Sequence, residues 1–278
     1  MSLYITSLNS GSNGNCYYVG NAEEAVLVDV GISCREVEKR MRNLELEISR
    51  VKAIFITHEH TDHISGVEVL AKKHQIPVYI TPAVYRGSRI ILPSHLVCDF
   101  VNYKPITVGA LQVTPFEKEH DAVQPCSFMV EGNGIKIGVI TDIGTACEKV
   151  VHYFKQCHAA FLESNYDEEM LEEGGYPFHL KRRIRGGKGH LSNVEALQLF
   201  LDHRPPFMSH LILSHLSKNN NTPQTVHELF TKHANGVNVV VASRYKETPV
   251  YRVTADAEIQ PVKHYTPPFK PEQLQLFA

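Results

Sequence analysis

Four potential metal ligands within six positions constrain this chain more than any other feature of its sequence. The apolar, β-branched segment Ala53–Thr57 is typical of a buried strand, and it is followed directly by His58, His60, Asp62 and His63. Side chains two positions apart on an extended segment leave on the same side, so His58 and His60 can converge on one cation. Asp62 and His63 can then turn toward a second cation. The segment therefore predicts a site for two metal ions at the end of a strand.

The order of these ligands, H-x-H-x-D-H after a strand, resembles the signature of the metallo-β-lactamase-fold hydrolases. The opening segment Ser10–Cys16, S-G-S-x-G-N-C, is similar to that of the bacterial YycJ/WalJ branch, which lies near the ribonuclease Z-like enzymes. The resemblance implies an α+β fold: a four-layer αββα sandwich of two mixed β-sheets flanked by helices, with a dinuclear site between the sheets.

The same resemblance assigns roles to residues that follow other strands. It implies seven ligands: His58, His60 and His120 at one metal, Asp62, His63 and His215 at the other, and Asp142 as a bridge between them. Asp29, at the end of the strand that begins at Ala25, would hydrogen-bond to a ligand from below. Taken alone, His120 in an acidic loop is typical of a solvated histidine, and Asp29 before a glycine is typical of a turn.

A histidine outside the ligand set predicts a proton donor. His190 stands just before Ser192 and Glu195, a capping box that predicts the start of a helix. It resembles the histidine of the H-x-S motif in the ribonuclease Z group, which pairs with a glutamate equivalent to Glu163. A carboxylate neighbour favours the protonated imidazole that a general acid needs, whereas a helix amino terminus opposes it. We expect Asp62, Glu163 and His190 to take part in catalysis, with a structural capping-loop histidine as the alternative.

A basic segment precedes this histidine. Five cations lie within eight positions of Lys181–Lys188, interleaved with glycines, after an irregular stretch Gly174–His179. Such a segment could bind phosphates through charge and exposed amides. The expected substrate contacts are Arg182, Arg183, Arg185, Lys188 and Ser192. The alternative is a solvated loop.

Composition limits the size of the domain, the cellular compartment and the classes of partner that we expect. The chain has 278 residues, 43% of them hydrophobic, so one domain over residues 1–262 can bury a large core. Six cysteines without a C-x-x-C pair, and no leader pattern, predict a reduced, cytoplasmic location. No apolar run approaches the roughly 20 residues that cross a bilayer. A net charge of −2 indicates that nucleic acid binding would need a local basic patch.

The carboxyl end suggests a partner. Residues 263–278 form a tail in which a Pro-rich spacer, Pro267–Pro271, precedes the hydrophobic peptide Gln273, Leu274, Gln275, Leu276, Phe277. This Q-L-x-L-F pattern resembles the peptide with which bacterial replication and repair proteins dock on the DNA sliding clamp. A tail that packs on its own domain through the leucines and the phenylalanine is the alternative.

These observations predict a dinuclear metal-dependent phosphodiesterase, and the resemblance to the YycJ/WalJ branch implies a DNA exonuclease with a role in DNA repair. Zinc and manganese suit the ligand set best, and iron fits it too. A metal-activated hydroxide would attack phosphorus while His190 and Glu163 assist the leaving group. The short interval from Asp142 to His215 leaves no room for a β-CASP insertion, and no long Gly/Pro-rich arm of the transfer-RNA-processing type is present. A thioester or lactam hydrolase, an RNA-processing nuclease and a non-catalytic metal-binding adaptor remain as alternatives.

Overall fold

The computed structural model describes residues 2–255 of the chain. The predicted tail, its docking peptide and the carboxyl end of the predicted domain at residue 262 lie outside these residues. The strands are β1 (Ser2–Asn9), β2 (Cys16–Gly20), β3 (Ala25–Val28), β4 (Val51–Phe55), β5 (Val78–Tyr79), β6 (Val97–Cys98), β7 (Ile106–Val108), β8 (Leu111–Glu117), β9 (Cys126–Gly132), β10 (Ile135–Ile140), β11 (Ala159–Glu163), β12 (His210–Ser214), β13 (Asn238–Val241) and β14 (Tyr251–Thr254). The α-helices are α1 (Cys34–Asn43), α2 (Thr61–Ile64), α3 (Val67–His74), α4 (Pro82–Gly87), α5 (Glu148–Phe154), α6 (Glu168–Glu173), α7 (Phe178–Ile184), α8 (Asn193–His203) and α9 (Pro223–Thr231).

The strands form two seven-stranded sheets. The first has the order β14-β1-β2-β3-β4-β5-β6, and the second has the order β13-β12-β11-β10-β9-β8-β7. In the first sheet, strands β3 to β6 pair in parallel and the remaining pairs are antiparallel. In the second, strands β10 to β13 pair in parallel and β7 to β10 are antiparallel. Both sheets are therefore mixed, as predicted.

The alternation of side chains along the strands creates the layers. In β3, Val26 and Val28 pack between the two sheets with Phe128 and Ile137 of the second sheet. The intervening Leu27 faces the other way and packs with residues of α1 and α3. A third cluster packs α5, α8 and α9 against the outer face of the second sheet. The predicted four-layer αββα sandwich is confirmed.

Serine side chains cap the starts of two helices, and the capping box predicted at Ser192 and Glu195 is present. Ser33 accepts a hydrogen bond from the backbone N–H of Glu36 and begins α1. Ser192 and Glu195 form the complete reciprocal capping box at the start of α8. No helix within residues 2–255 is long and apolar enough to cross a membrane, and the six cysteines are unpaired.

The segment before His190 differs from the prediction. The expected irregular stretch ends at Pro177, and α7 begins at Phe178, so Lys181, Arg182 and Arg183 lie on a helix and not in a loop. Leu180 and Ile184 of this helix pack on Tyr166 and Leu171. These apolar contacts order a short helix whose sequence is too polar to show a clear helical pattern by itself.

Candidate active site

The predicted ligands meet at the carboxyl ends of strands from both sheets. The parallel strands β3 and β4 deliver Asp29 and the segment His58–His63, while β10 and β12, parallel through β11, deliver Asp142 and His215. The potential ligand atoms lie within 4.8 Å of one another in three overlapping groups: His58, His60 and His120; His58, His63 and Asp142; Asp62, His63 and His215. Seven side chains from four separate segments of the sequence therefore form one continuous cluster.

A buried carboxylate beneath the cluster orients two of the histidines. Asp29 accepts hydrogen bonds from the backbone N–H and hydroxyl of Thr57, at 2.9 and 2.7 Å. Its Oδ2 also lies 2.7 Å from Nδ1 of His63, which must carry a proton because a carboxylate only accepts. Since the hydroxyl proton of Thr57 goes to Asp29, its oxygen accepts from Nδ1 of His58 at 2.8 Å. His58 therefore turns an unprotonated Nε2 into the cluster, as a metal ligand requires.

A second contact sets the orientation of His120. Its Nδ1 donates to the backbone oxygen of Gly189 at 2.9 Å, which leaves Nε2 facing Nδ1 of His60 at 3.4 Å. The same His60 nitrogen lies 3.0 Å from Nε2 of His58. Burial lowers the pKa of His58 well below its usual value and lowers the pKa of His120 to about 4. Nitrogen lone pairs thus converge on one point, an arrangement that a cation stabilises.

The other side of the cluster is rich in acids. Burial by itself lowers the pKa of His215, but Asp142, Asp62 and Glu163 outweigh it and raise the pKa to about 10. For the carboxyl group of Asp142, burial acts in the opposite direction and raises the pKa. The adjacent His215 and His63 nevertheless hold this pKa well below its usual range. The acids therefore attract positive charge to this side of the cluster, and a divalent cation can supply it in place of protons.

Two buried atoms test whether the residues fit a metal. Among residues 2–255, Oδ2 of Asp142 and Nε2 of His215 have no hydrogen-bond partner. Nε2 of His63 lies 3.2 Å from that Asp142 oxygen, and Nε2 of His215 lies 3.5 Å from Oδ2 of Asp62. A buried polar atom without a partner is costly, and here the unpartnered atoms are those that would bind a metal. The residues present fit divalent metal ions.

Three site residues have a left-handed backbone. Asp29, Asp142 and His215 have φ values of 59°, 54° and 57°. Such a conformation costs about 1–3 kcal/mol for a residue with a side chain, and it concentrates at functional sites. Hydrogen bonds maintain it: the N–H of His215 donates to the hydroxyl of Ser10 at 2.7 Å, and the N–H of Asp29 donates to the Phe55 carbonyl.

Glu163 links the cluster to the predicted proton donor. This carboxylate is fully buried, and its Oε1 lies 2.8 Å from Nδ1 of His190 and 2.9 Å from Nδ1 of His215. Its Oε2 accepts from the backbone N–H groups of Ile143 and Leu191. One carboxylate oxygen therefore orients both a predicted ligand and the partly exposed His190.

The predicted substrate contacts fall into two groups. Arg183 forms an ion pair with Asp121, and Arg185 forms one with Glu172. Arg182 and Lys188 are exposed, and their side chains have no hydrogen bond or ion pair within the part of the chain that the structure describes. A cavity of about 200 Å³ leads from His190 and His215 to this region, lined in addition by Tyr176, Arg183, Asn165 and Ser217.

Ser192 does not share this exposure. Its hydroxyl is fully buried, accepts from the N–H of Glu195 and donates to Glu168 at 3.0 Å. Its hydrogen-bonding capacity is used in capping α8, so we do not assign it a contact with substrate.

Sequence analysis missed two amides at the site. Nδ2 of Asn15 lies 3.0 Å from Nε2 of His63 and 3.2 Å from Oδ2 of Asp62. Nδ2 of Asn165 donates to the backbone oxygen of His215 at 2.7 Å. The glycine-rich opening segment was a signal for Asn15, since it predicts a close backbone approach. Gly31 permits that approach, because a Cβ there would overlap the carbonyl of Asp62.

The chain is similar to known proteins over most of its length. The family described as the beta-lactamase superfamily domain matches residues 24–216. The chain is 37% identical over 224 residues to the exodeoxyribonuclease YycJ of Bacillus anthracis, a match that covers 80% of this chain and 85% of that protein. It is 30% identical over 228 residues to the exodeoxyribonuclease WalJ of Streptococcus pneumoniae, covering 79% of this chain and 84% of that protein.

The fold is similar to that of solved structures at low sequence identity. The metallo-β-lactamase-fold protein YhfI of Bacillus subtilis superposes with a TM-score of 0.70 at 15% identity, covering 90% of this chain and 99% of that one. The matched domain, the curated relatives and the two-sheet architecture agree. This chain belongs to the metallo-β-lactamase-fold hydrolase superfamily, a group of metal-dependent enzymes.

Proposed function

We propose that this protein is a DNA exonuclease that acts in DNA repair in the cytoplasm. Two relatives that match about four fifths of the chain are named exodeoxyribonucleases. The cluster of imidazoles and carboxylates would hold two divalent ions, with Asp142 as a ligand common to the two halves of the cluster. Zinc and manganese suit these nitrogen and oxygen ligands best, and iron is a further candidate.

The observation that carries the proposal is the single Glu163 oxygen shared by His190 and His215. It holds His190 beside the potential metal ligands through a hydrogen bond to Nδ1. Nε2 of His190 can therefore protonate a leaving oxygen. Bound divalent cations supply charge neutralisation at the phosphate and activation of the attacking water. A donor positioned in this way serves an alkoxide leaving group, as in phosphodiester hydrolysis, more than it serves a thiolate.

Asp62 takes a separate role. Its carboxylate is partly exposed, while the neighbouring His63 is fully buried. Burial raises the pKa of Asp62, but His63 and His215 outweigh it and lower the pKa, so the group is ionised at neutral pH. It can bind a cation and orient the attacking water by accepting one of its protons.

The exposed cations beside the cavity suit a DNA strand. Arg182 and Lys188 are free to contact phosphates, whereas the ion pairs of Arg183 and Arg185 indicate a role in positioning the wall of the cavity. The net charge of −2 makes such a local contact necessary.

The test is digestion of end-labelled linear DNA, single- and double-stranded, in Mn²⁺ or Zn²⁺, beside circular single-stranded DNA and RNA of equal length. We expect progressive shortening of linear DNA and no cleavage of the circle. His190→Ala should retain its metal and lower turnover by roughly 10²–10⁴-fold. His227→Ala, an exposed histidine on α9, is the matched control. Cleavage of the circle or a preference for RNA would contradict the proposal.

We further propose that Gln273, Leu274, Leu276 and Phe277 dock on the bacterial DNA sliding clamp. The support is the sequence pattern on a proline-rich tether. Deleting residues 273–278 should abolish binding to a purified clamp while hydrolysis of a small phosphodiester persists. Equal clamp binding by the truncated protein would rule out this role.

A further inference from the structure

Three potential metal ligands meet on the outer side of the first sheet, apart from the residues assigned above. Cys34 and Glu38 lie four positions apart on α1, so their side chains share one face of the helix. His74 lies in the last turn of α3, which packs beside α1. The thiol sulfur, a carboxylate oxygen and an imidazole nitrogen lie within 4.8 Å of one another. His74 is far from Cys34 and Glu38 in the sequence, so only the packing of α3 beside α1 brings the three side chains together.

The three groups converge on a single oxygen. Oε1 of Glu38 lies 2.7 Å from Nε2 of His74 and 3.6 Å from the sulfur of Cys34. Lys73 also approaches this oxygen, at 2.6 Å, although its side chain is 55% exposed. Three donors therefore surround one carboxylate oxygen. Within residues 2–255, the Lys73 side chain makes no other ion pair.

Glu38 accepts hydrogen bonds from the other two groups of the cluster. Hydrogen bonds from Lys73 and His74 lower the pKa of Glu38 to about 2, so the carboxylate is ionised at neutral pH. Burial and the adjacent Glu38 raise the pKa of the Cys34 thiol, which therefore keeps its proton. The thiol and the imidazole N–H both point their hydrogens at the carboxylate.

We propose that Cys34, Glu38 and His74 bind a Zn²⁺ ion at a second metal site. Thiolate, carboxylate and imidazole are the ligand types that zinc takes, and water can complete a four-coordinate shell. Binding releases the Cys34 thiol proton to solvent. His74 gives up the proton on Nε2 and takes one at Nδ1, so one proton leaves for each ion bound. The Lys73 side chain then leaves the Glu38 oxygen and extends into solvent.

The surroundings provide access to the site. A cavity of about 470 Å³ is lined by Glu38, Lys73 and His74, together with Met41, Leu46 and Ile48. It offers a path for the ion and room for the displaced lysine. An ion bound here would connect α1 to α3, two helices that cover the outer face of the first sheet. Because the ion would bind the folded chain and not the unfolded chain, it would stabilise the fold.

The test uses the fact that the active-site cluster contains no sulfur. The full chain, stripped of metal with a chelator, is titrated with Co²⁺ and followed by absorbance in the near ultraviolet, where thiolate-to-cobalt charge transfer appears. We expect such a band in the unmodified protein and none in Cys34→Ser. Glu38→Gln and His74→Gln should weaken the affinity by at least about 100-fold, more than the loss of an outer hydrogen bond costs a metal site.

Two matched controls sharpen the result. Cys98→Ser removes a partly exposed thiol that belongs to no ligand group within residues 2–255, and it should leave the band unchanged. Lys73→Ala removes the competing cation and should tighten binding by about 2–5-fold, whereas Lys72→Ala should not. Absence of the band in the folded, unmodified protein, or its survival in Cys34→Ser, overturns the proposal. The charge-transfer band and the metal affinity are both measured without any hydrolysis assay.

Discussion

The replacement of Glu163 by glutamine tests how the active site is oriented. All four neighbours of this carboxylate present hydrogens to it: His190 and His215 at Oε1, and the backbone N–H groups of Ile143 and Leu191 at Oε2. Glutamine has nearly the same shape but only one accepting oxygen. Whichever way its amide turns, the NH₂ group faces two former donors.

The two orientations differ in cost. With NH₂ toward the backbone, two buried N–H groups lose their acceptor at about 1–3 kcal/mol each, or about 2–6 kcal/mol in total. With NH₂ toward the imidazoles, His190 and His215 can move their protons to Nε2 and accept at Nδ1. The orientation with NH₂ toward the imidazoles costs less free energy, because an imidazole can change its tautomer and a backbone amide cannot. It also places a proton on the nitrogen with which His215 would bind a metal.

We therefore expect Glu163→Gln to lose both metal and turnover. Metal affinity should fall by about 10–100-fold, as for other groups that orient a ligand histidine, and turnover by roughly 10²–10⁴-fold. Chelator competition measures the first, hydrolysis of end-labelled DNA at saturating metal the second, and denaturant unfolding detects any loss of stability. His190→Ala provides the comparison, since it should affect turnover without affecting metal.

Two results would refute this reasoning. If Glu163→Gln bound metal as tightly as the unmodified protein and also kept its unfolding free energy, the shared oxygen would not determine the tautomer of His215. If turnover survived at saturating metal, the contact with His190 would have no catalytic role. A fall in unfolding free energy of about 2–6 kcal/mol with normal metal affinity would show that the amide turned toward the backbone instead.

Three further changes test separate parts of the structure. Asp142→Ala removes the carboxylate shared by the two halves of the cluster, so elemental analysis should find at least one ion fewer per chain than in the unmodified protein, and an unchanged ion count would contradict a bridging role. Gly31→Ala adds a Cβ where a backbone carbonyl lies, so the free energy of unfolding should fall by about 1–3 kcal/mol and metal should bind more weakly; unchanged thermal unfolding would argue against the close approach. Replacing both Arg182 and Lys188 by alanine should reduce the dependence of log affinity for single-stranded DNA on log salt by about 1.4, with turnover at saturation preserved. Lys232→Ala, just after the carboxyl end of α9, should change neither the salt dependence nor the turnover. An unaltered salt dependence in the double variant would place the DNA elsewhere.

Local features of the sequence determined much of the architecture. The β-branched run before His58 predicted β4, and the pattern Ser192 to Glu195 predicted the start of α8, because strand alternation and helix capping depend on residues a few positions apart. The ligand spacing in His58–His63 likewise depends on one short segment, so the predicted metal site and its family resemblance were available from the sequence.

Tertiary structure decided which partners each group meets. That Glu163 shares one oxygen between His190 and His215, that Arg183 is paired with Asp121, and that His74 lies beside a cysteine of another helix all depend on contacts between distant segments. Side-chain periodicity carries no information about such contacts. Hydrogen-bond partners, tautomers and burial are properties of the packed chain, because they depend on which strand ends and helices the core brings together.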